Sequence, residues 1–449
     1  MLLRIFVVIV AFVSMDYVAA ASDTSEEPRA LSLESVYQLA RRNATDLNIA
    51  RYRVDSALAQ RGVARSQLFP QLSAFGQWSD NRVEYDGPVS SNFDTRDYPG
   101  ERYGVQFRQS LFNVGNWKEY ERQTSLHLQS KDELDIAETQ VLAAVTKAYL
   151  DVLLADAVAK QLLEESTALR KQVEEAEAVF ERGFIPITQV LETKTRAASI
   201  SAELIDAKGR TKIAREQLYS IIGERNINPL PASTTLLLDP KFNSAQEAAE
   251  VALANNPVIA AALDGVEAAR DAISREKGSW LPDVDVVFTR QYSDVGFDNL
   301  SSPPRTTETV QIAVNYPIFE GGASSSRLRG AWAEFYSAKE KLEAAKREAE
   351  SRARSSWFSL EAAIERVEAS QQGVMAASTN LDASQKAVRA GTGRVTDVLL
   401  ALAQKTQAQN ELSGARFQVV LAWLELELST GGDPIVLAKR LSDALTRSP

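Results

Sequence analysis

Gly183-Phe184-Ile185-Pro186-Ile187-Thr188-Gln189-Val190-Leu191 returns as Gly391-Thr392-Gly393-Arg394-Val395-Thr396-Asp397-Val398-Leu399, a shift of 208 residues. Both turns follow a long run of helical character. The same shift carries Tyr149 onto Trp357 and the helix-ending Gly223 onto Gly431. Near the start of each copy the shift becomes 212, where Leu68-Phe69-Pro70-Gln71-Leu72 matches Trp280-Leu281-Pro282-Asp283-Val284. A period of about half the chain is far longer than a solenoid unit, so it marks a duplicated domain with pseudo-two-fold organisation. Each copy has to supply a long helix pair and a strand pair.

The helical part is legible from spacing. Val141, Val145, Ala148, Val152, Ala155, Ala159, Leu162, Ser166, Leu169, Val173, Ala176 and Phe180 are separated by alternating gaps of four and three, a 3.5-residue period. The second copy keeps this frame 208 residues later, from Ala349 to Val388, with Ala and Ser prominent where a zipper carries Leu. Small seam residues let helices lie close, as in a tube whose wall helices each touch two neighbours. A simple rod-like coiled coil is the competing reading of this period.

Long helices are expected over about 116–180 and 324–388, each roughly 100 Å at 1.5 Å per residue. They turn at 181–187 and 389–395 and return over 188–222 and 396–430. Shorter helices, about 32–67 and 244–279, precede the strands.

Between the short and long helices the period changes to two. Leu72, Ala74, Gly76 and Trp78 alternate with Gln71, Ser73, Phe75 and Gln77, and Tyr103, Val105 and Phe107 alternate with Gly104, Gln106 and Arg108. The second copy repeats this with Val284, Val286, Phe288 and Tyr292, then with Val310, Ile312, Val314, Tyr316 and Ile318. Strands are expected at about 71–80, 103–112, 283–292 and 308–319. About ten residues is what a tilted strand needs to cross a bilayer, and Tyr103, Tyr292, Tyr316 and Phe319 sit where interfacial aromatics belong. A soluble four-stranded sheet with one covered face is the alternative. In lipid, four strands cannot close and open edges are not tolerated, so the chain would have to oligomerise; a trimer supplies twelve strands and room for a lumen.

The ends and composition agree. Met1-Leu2-Leu3-Arg4, an apolar run from Ile5 to Val13 and Ala19-Ala20-Ala21 read as a secretory signal over 1–21 rather than a membrane anchor. The expected organisation is thus a signal (1–21), a first repeat (22–223), a Pro-rich connector (224–243), a second repeat (244–431) and a C-terminal tail (432–449). With 50 Lys+Arg against 60 Asp+Glu the net charge of −10 argues against a nucleic-acid partner. The chain has no cysteine and one histidine, His127, which has no partner at motif spacing and is expected on a solvated helix face. Nothing in the pattern supports catalysis, a metal or a cofactor, so the chain is read as a non-enzyme.

Taken together, these residues resemble the TolC family of outer-membrane efflux proteins over about 32–431. The carrying motifs are the paired turns, Asn255-Asn256-Pro257, and Tyr316-Pro317-Ile318-Phe319-Glu320-Gly321-Gly322. The resemblance implies a mainly α protein with a transmembrane β part. Its homotrimer would combine a twelve-stranded barrel in outer-membrane lipid with a twelve-helix periplasmic tunnel. It further implies docking of a periplasmic adaptor and an inner-membrane pump, and export of proteins, toxins or drugs. A periplasmic coiled-coil adaptor or scaffold without a barrel is the alternative.

By the same resemblance, Asp397 matches an acidic position of the tip gate, with Arg394, Thr188 and Gln189 beside it and Gly183 and Gly391 forming the turns an adaptor would grip. Leu400 stands where a second acid is common, and Gln189 where an acid would be a natural partner. Asp397 is independently expected as a helix N-cap.

Overall fold

The computed structural model describes residues 29–83, 96–225, 227–230, 241–295, 301–390 and 392–446. The signal reading of 1–21 and Gly391 lie outside them.

The chain opens with a short strand β1 (Arg29–Leu31), then α1 (Leu33–Asn43) and α2 (Thr45–Ser66). Strands β2 (Gln71–Val83) and β3 (Arg96–Phe112) follow, then α3 (Val114–Glu181) and α4 (Ile187–Ile222). After β4 (Ile227–Pro229) the pattern repeats as α5 (Ala245–Asn255), α6 (Pro257–Gly278), β5 (Asp283–Val295), β6 (Ser301–Asn315), α7 (Ala323–Arg389) and α8 (Val395–Ser429). A last helix, α9 (Pro434–Thr446), closes the chain.

Each short helical stretch, expected as one piece, is two helices. In the second copy Pro257 removes a backbone donor, and the Asn256 side chain caps α6 by accepting from the Val258 N–H at 2.9 Å. The Asn256 amide also donates to the Ser429 carbonyl at 2.9 Å, and Asn43 in the first copy donates to the Ile222 carbonyl at 3.1 Å. These breaks therefore seat the two returning helices, which end at Gly223 and Gly431 in left-handed backbone (φ 75° and 83°). A Cβ on Gly431 would lie 2.4 Å from the Asn255 carbonyl oxygen, so that junction has room only for glycine.

The main apolar core lies midway along the helices. Val141, Val145, Tyr149 and Val152 of α3 meet Leu33, Val36 and Tyr37 of α1, Leu218 and Ile222 of α4, and Val420, Trp423 and Leu424 of α8. Tyr149 donates its hydroxyl to the carbonyls of Leu31 (3.2 Å) and Leu230 (3.3 Å), tying β1 and β4 to the core. Those two strands pair in parallel, so part of the expected connector carries structure. The expected C-terminal tail also contributes: Leu437, Ala438, Leu441 and Leu445 of α9 are buried, and Arg440 lies over the Trp423 ring at 4.9 Å.

His127 is a correction. It is buried rather than solvated, and burial together with the Lys131 and Arg61 charges pulls its pKa down. The helix face it occupies is covered by another element, which its lack of sequence partners could not show.

The long helices run 68 and 67 residues. Their small seam is covered: Ala349, Ala353, Ser356, Leu360, Ala363 and Leu381 of α7 are all buried, like Val141, Val145, Ala148, Val152, Leu162, Ser166 and Leu169 of α3. The four long strands form one antiparallel sheet in the order β2-β3-β5-β6, leaving β2 and β6 as its edges.

Candidate functional site

Two regions carry the candidate residues: the helical tip and the outward face of the sheet. At the first tip turn, Gly183 sits in left-handed backbone (φ 77°) and donates its N–H to the Phe180 carbonyl at 2.8 Å. A side chain there would meet nothing within 4 Å, so backbone conformation alone asks for glycine. At the second turn the N–H groups of Thr392 and Gly393 both reach the Ala387 carbonyl at 3.0 Å. Here proximity is decisive, since a Cβ on Gly393 would come within 2.9 Å of the Ala387 side chain.

Asp397 was expected to cap α8; Arg394 occupies the cap position instead. Asp397 lies in the first turn, where its carboxylate accepts the Arg394 N–H at 3.2 Å and its own N–H donates to the Arg394 carbonyl at 3.1 Å. The helix begins at Val395, which places the acid at its third residue, three positions past the cap and close enough to reach back. Arg394, Asp397 and Thr188 are exposed and Gln189 is half-buried. Among the described residues, neither Thr188 nor Gln189 is hydrogen-bonded to Arg394 or Asp397 within one chain. Leu400 is 61% exposed, an apolar side chain with nothing of its own chain over it.

About 27 Å above the first turn, 18 residues of helix at 1.5 Å each, sits a site the pattern reading missed. Glu165 of α3 is buried and bonds Arg196 of α4 at 3.1 Å. Its other oxygen accepts the Thr406 hydroxyl of α8 at 3.0 Å. Gln161, one turn away, donates to the Thr406 carbonyl (3.2 Å) and to Gln409 (2.7 Å). This polar link ties the first hairpin to the second. The one available sequence signal was a Glu immediately beside the seam residue Ser166.

On the sheet, the outward parity is bare and apolar apart from Arg290 and Glu308, which pair with each other two residues short of Tyr292. Leu72 (76% exposed), Trp78 (75%), Val310 (73%), Ile312 (68%) and Val314 (63%) have no cover from their own chain. Tyr103 and Tyr292 are cross-strand partners with rings stacked 4.7 Å apart. They were expected near strand ends, but the strands are 13 to 17 residues long, and Tyr103 stands mid-strand at the upper limit of the apolar rows. Beyond it the outward positions turn polar: Glu101, Asp80, and Arg82 bonded to Asp97 at 2.7 Å. Tyr316 and Phe319, exposed after β6, stand at the opposite end. From Val284 to Tyr292 the strand covers about 27 Å at 3.4 Å per residue, which after tilting matches an apolar band of about 25 Å. The inward parity is polar, with Arg108 bonded to Asp285 at 2.5 Å. Among the described residues no helix is long and apolar enough to cross a membrane.

Comparison with known proteins agrees with this architecture. The model of the outer membrane efflux protein family matches residues 36–224 and 248–432. The chain is 26% identical over 420 residues to the outer membrane protein TolC of Vibrio cholerae (92% of this chain, 94% of TolC). It is 25% identical over 417 residues to the alkaline protease secretion protein AprF of Pseudomonas aeruginosa (90% and 85%). Its fold resembles the Campylobacter jejuni CmeC outer membrane channel with a TM-score of 0.77 at 15% identity, covering 98% of both chains.

Proposed function

The chain belongs to the outer membrane efflux protein family, and from that premise we propose that three copies assemble into one exit duct through the outer membrane. The observation that carries this reading is the open sheet: four strands, two unpaired edges and a bare apolar face. Water would not leave such a face uncovered and lipid would not leave such edges unpaired. A twelve-stranded barrel with the apolar parity outward satisfies both demands at once. The alternative of a periplasmic scaffold needs protein over that face, and no described residue of this chain covers it.

In this reading the long helices form the wall of a periplasmic tunnel. The turns at Gly183 and Gly391 meet an adaptor that links the duct to an inner-membrane pump. Asp397 of each copy lies at the narrow end, where three carboxylates favour cations over anions. The similarity to AprF, named for alkaline protease secretion, supports a role in efflux or type I secretion.

The test is biochemical. The protein should fractionate with outer membrane, need detergent for extraction, show a trimer mass by native mass spectrometry and conduct ions in planar bilayers. A stable water-soluble monomer with no conductance overturns the reading.

A further inference from the structure

The internal repeat also carries the register by which separate copies would join, an inference that rests on the trimeric reading. Gln71 pairs with Arg108 and Asp283 with Asn315, so β2 corresponds to β5 under a shift of 212 and β3 to β6 under a shift of 207. Within one chain the two repeats meet along β3 and β5, with Tyr103 opposite Tyr292, Gln106 opposite Thr289 and Phe107 opposite Phe288. The remaining edges, β6 and β2, are the repeat equivalents of β3 and β5. A closed barrel with pseudo-equivalent repeats uses one junction throughout, so β6 of one copy should meet β2 of the next in the same register.

Transferring each pair through those shifts sets Val314 opposite Gly76 of the next copy, Ala313 opposite Gln77, and Ile312 opposite Trp78. One step beyond the paired part of the β3–β5 ladder, the Glu101 N–H still donates to Asp294 at 2.6 Å. Its equivalent at the new seam sets Glu308 opposite Arg82.

The side chains support this register independently. In the single chain Glu308 already faces Arg290 at 3.4 Å, and Arg82 already faces Asp97 at 2.7 Å, both pairs well exposed on the outward parity. We propose that the inter-copy seam joins them into one alternating row, Asp97–Arg82 of one copy and Glu308–Arg290 of its neighbour, which sets the barrel's register. Opposite charges directly across strands stabilise and like charges destabilise, so the row discriminates among registers.

A slip of one residue inverts every side chain across the sheet. A slip of two in one direction sets Glu308 against Asp80, a like-charge contact. A slip of two in the other sets Ile312 against Asp80 and Arg82 against Val310. The proposed register instead covers Ile312 with Trp78 and pairs the charges, leaving Val310 opposite Asp80 as its one mismatch.

The absence of cysteine makes the seam directly testable in the full-length protein in detergent. The lumen-facing pair Gln77→Cys with Ala313→Cys should form inter-copy disulfides at least tenfold faster than Gln77→Cys with Gln311→Cys or with Asn315→Cys. The control is Gln106→Cys with Thr289→Cys, the repeat equivalent within one chain. Faster linking of either displaced pair overturns the register. Linking of the control with none of the three inter-copy pairs overturns edge-to-edge assembly itself. As a second readout, Glu308→Arg and Arg82→Glu should each lower the temperature at which the trimer dissociates, and the double variant should lose no more than either alone, because the swap restores the inter-copy pair while leaving the two pairs within each copy broken. Additive losses in the double variant overturn the row.

Discussion

Helices α3 and α7 are copies of each other in sequence, yet they live in different surroundings. Position 150 of α3 is Leu, 1% exposed; its repeat equivalent, Phe358 of α7, is 58% exposed. The buried Leu142 and Thr146 become Glu350 and Arg354, which bond each other at 2.9 Å while Arg354 also reaches Gln246 of α5 at 2.7 Å. The seam facing the returning helix is kept in both copies. The second stripe is not, because α3 lies inside the chain under α1 and α9, whereas α7 lies at its rim. A duplicated helix therefore shows which contacts are internal to a repeat and which depend on position in the assembly. The tip repeats the lesson: Glu165 and Arg196 have Gly373 and Gln404 as equivalents, so the second hairpin has no counterpart of this buried ion pair at the same level.

The comparison can be broken most directly at its extremes. Leu150→Ala should destabilise the protomer by about 2–5 kcal/mol through a cavity in the core. Phe358→Ala should change protomer stability by less than about 0.5 kcal/mol yet weaken trimer formation. Denaturant melts paired with native mass spectrometry separate the two, and equal losses at both positions would remove the distinction between interior and rim.

Next in size, Arg196→Ala strands the buried Glu165 carboxylate and should lose about 3 kcal/mol, against under about 0.5 for Gln404→Ala. Thermal unfolding of both variants tests whether the ion pair belongs to the first hairpin alone.

A smaller effect depends on pH. Asp132 of α3 is half-buried, and burial, reinforced by the Asp264 and Asp135 charges, raises its pKa from 3.8 to about 6. A raised folded pKa means stability is complete below the unfolded value and is lost as pH climbs through about 4 to 6. Asp132→Asn should therefore stabilise the protein by about 1 kcal/mol above pH 7, after allowance for solvent screening, and by nothing at pH 4. Melting curves at the two pH values check the sign.

Smallest in stability is Asp397→Asn. It should shift the melting point by less than about 1 kcal/mol equivalent, because only the first-turn charge of α8 changes. In planar bilayers it should lower cation preference; unchanged selectivity would remove Asp397 from the pore and leave it a helix-start residue.

Sequence alone was sufficient wherever a contact is local or periodic. The 3.5-residue seam from Val141 onward, the period-two strands and the glycine turns each follow from backbone geometry repeated at short range. The tip residues were legible as a motif, but that Arg394 holds the cap position and Asp397 reaches back from the first turn depends on where α8 starts. Tertiary structure decided the rest: β1 laid against β4, α9 built into the core, His127 buried, and Glu165 closed off by Arg196 and Thr406 from two other helices. Those outcomes join residues far apart in the chain, and no periodicity records them. The same holds for the second stripe of α7, whose pattern is set by its place at the rim.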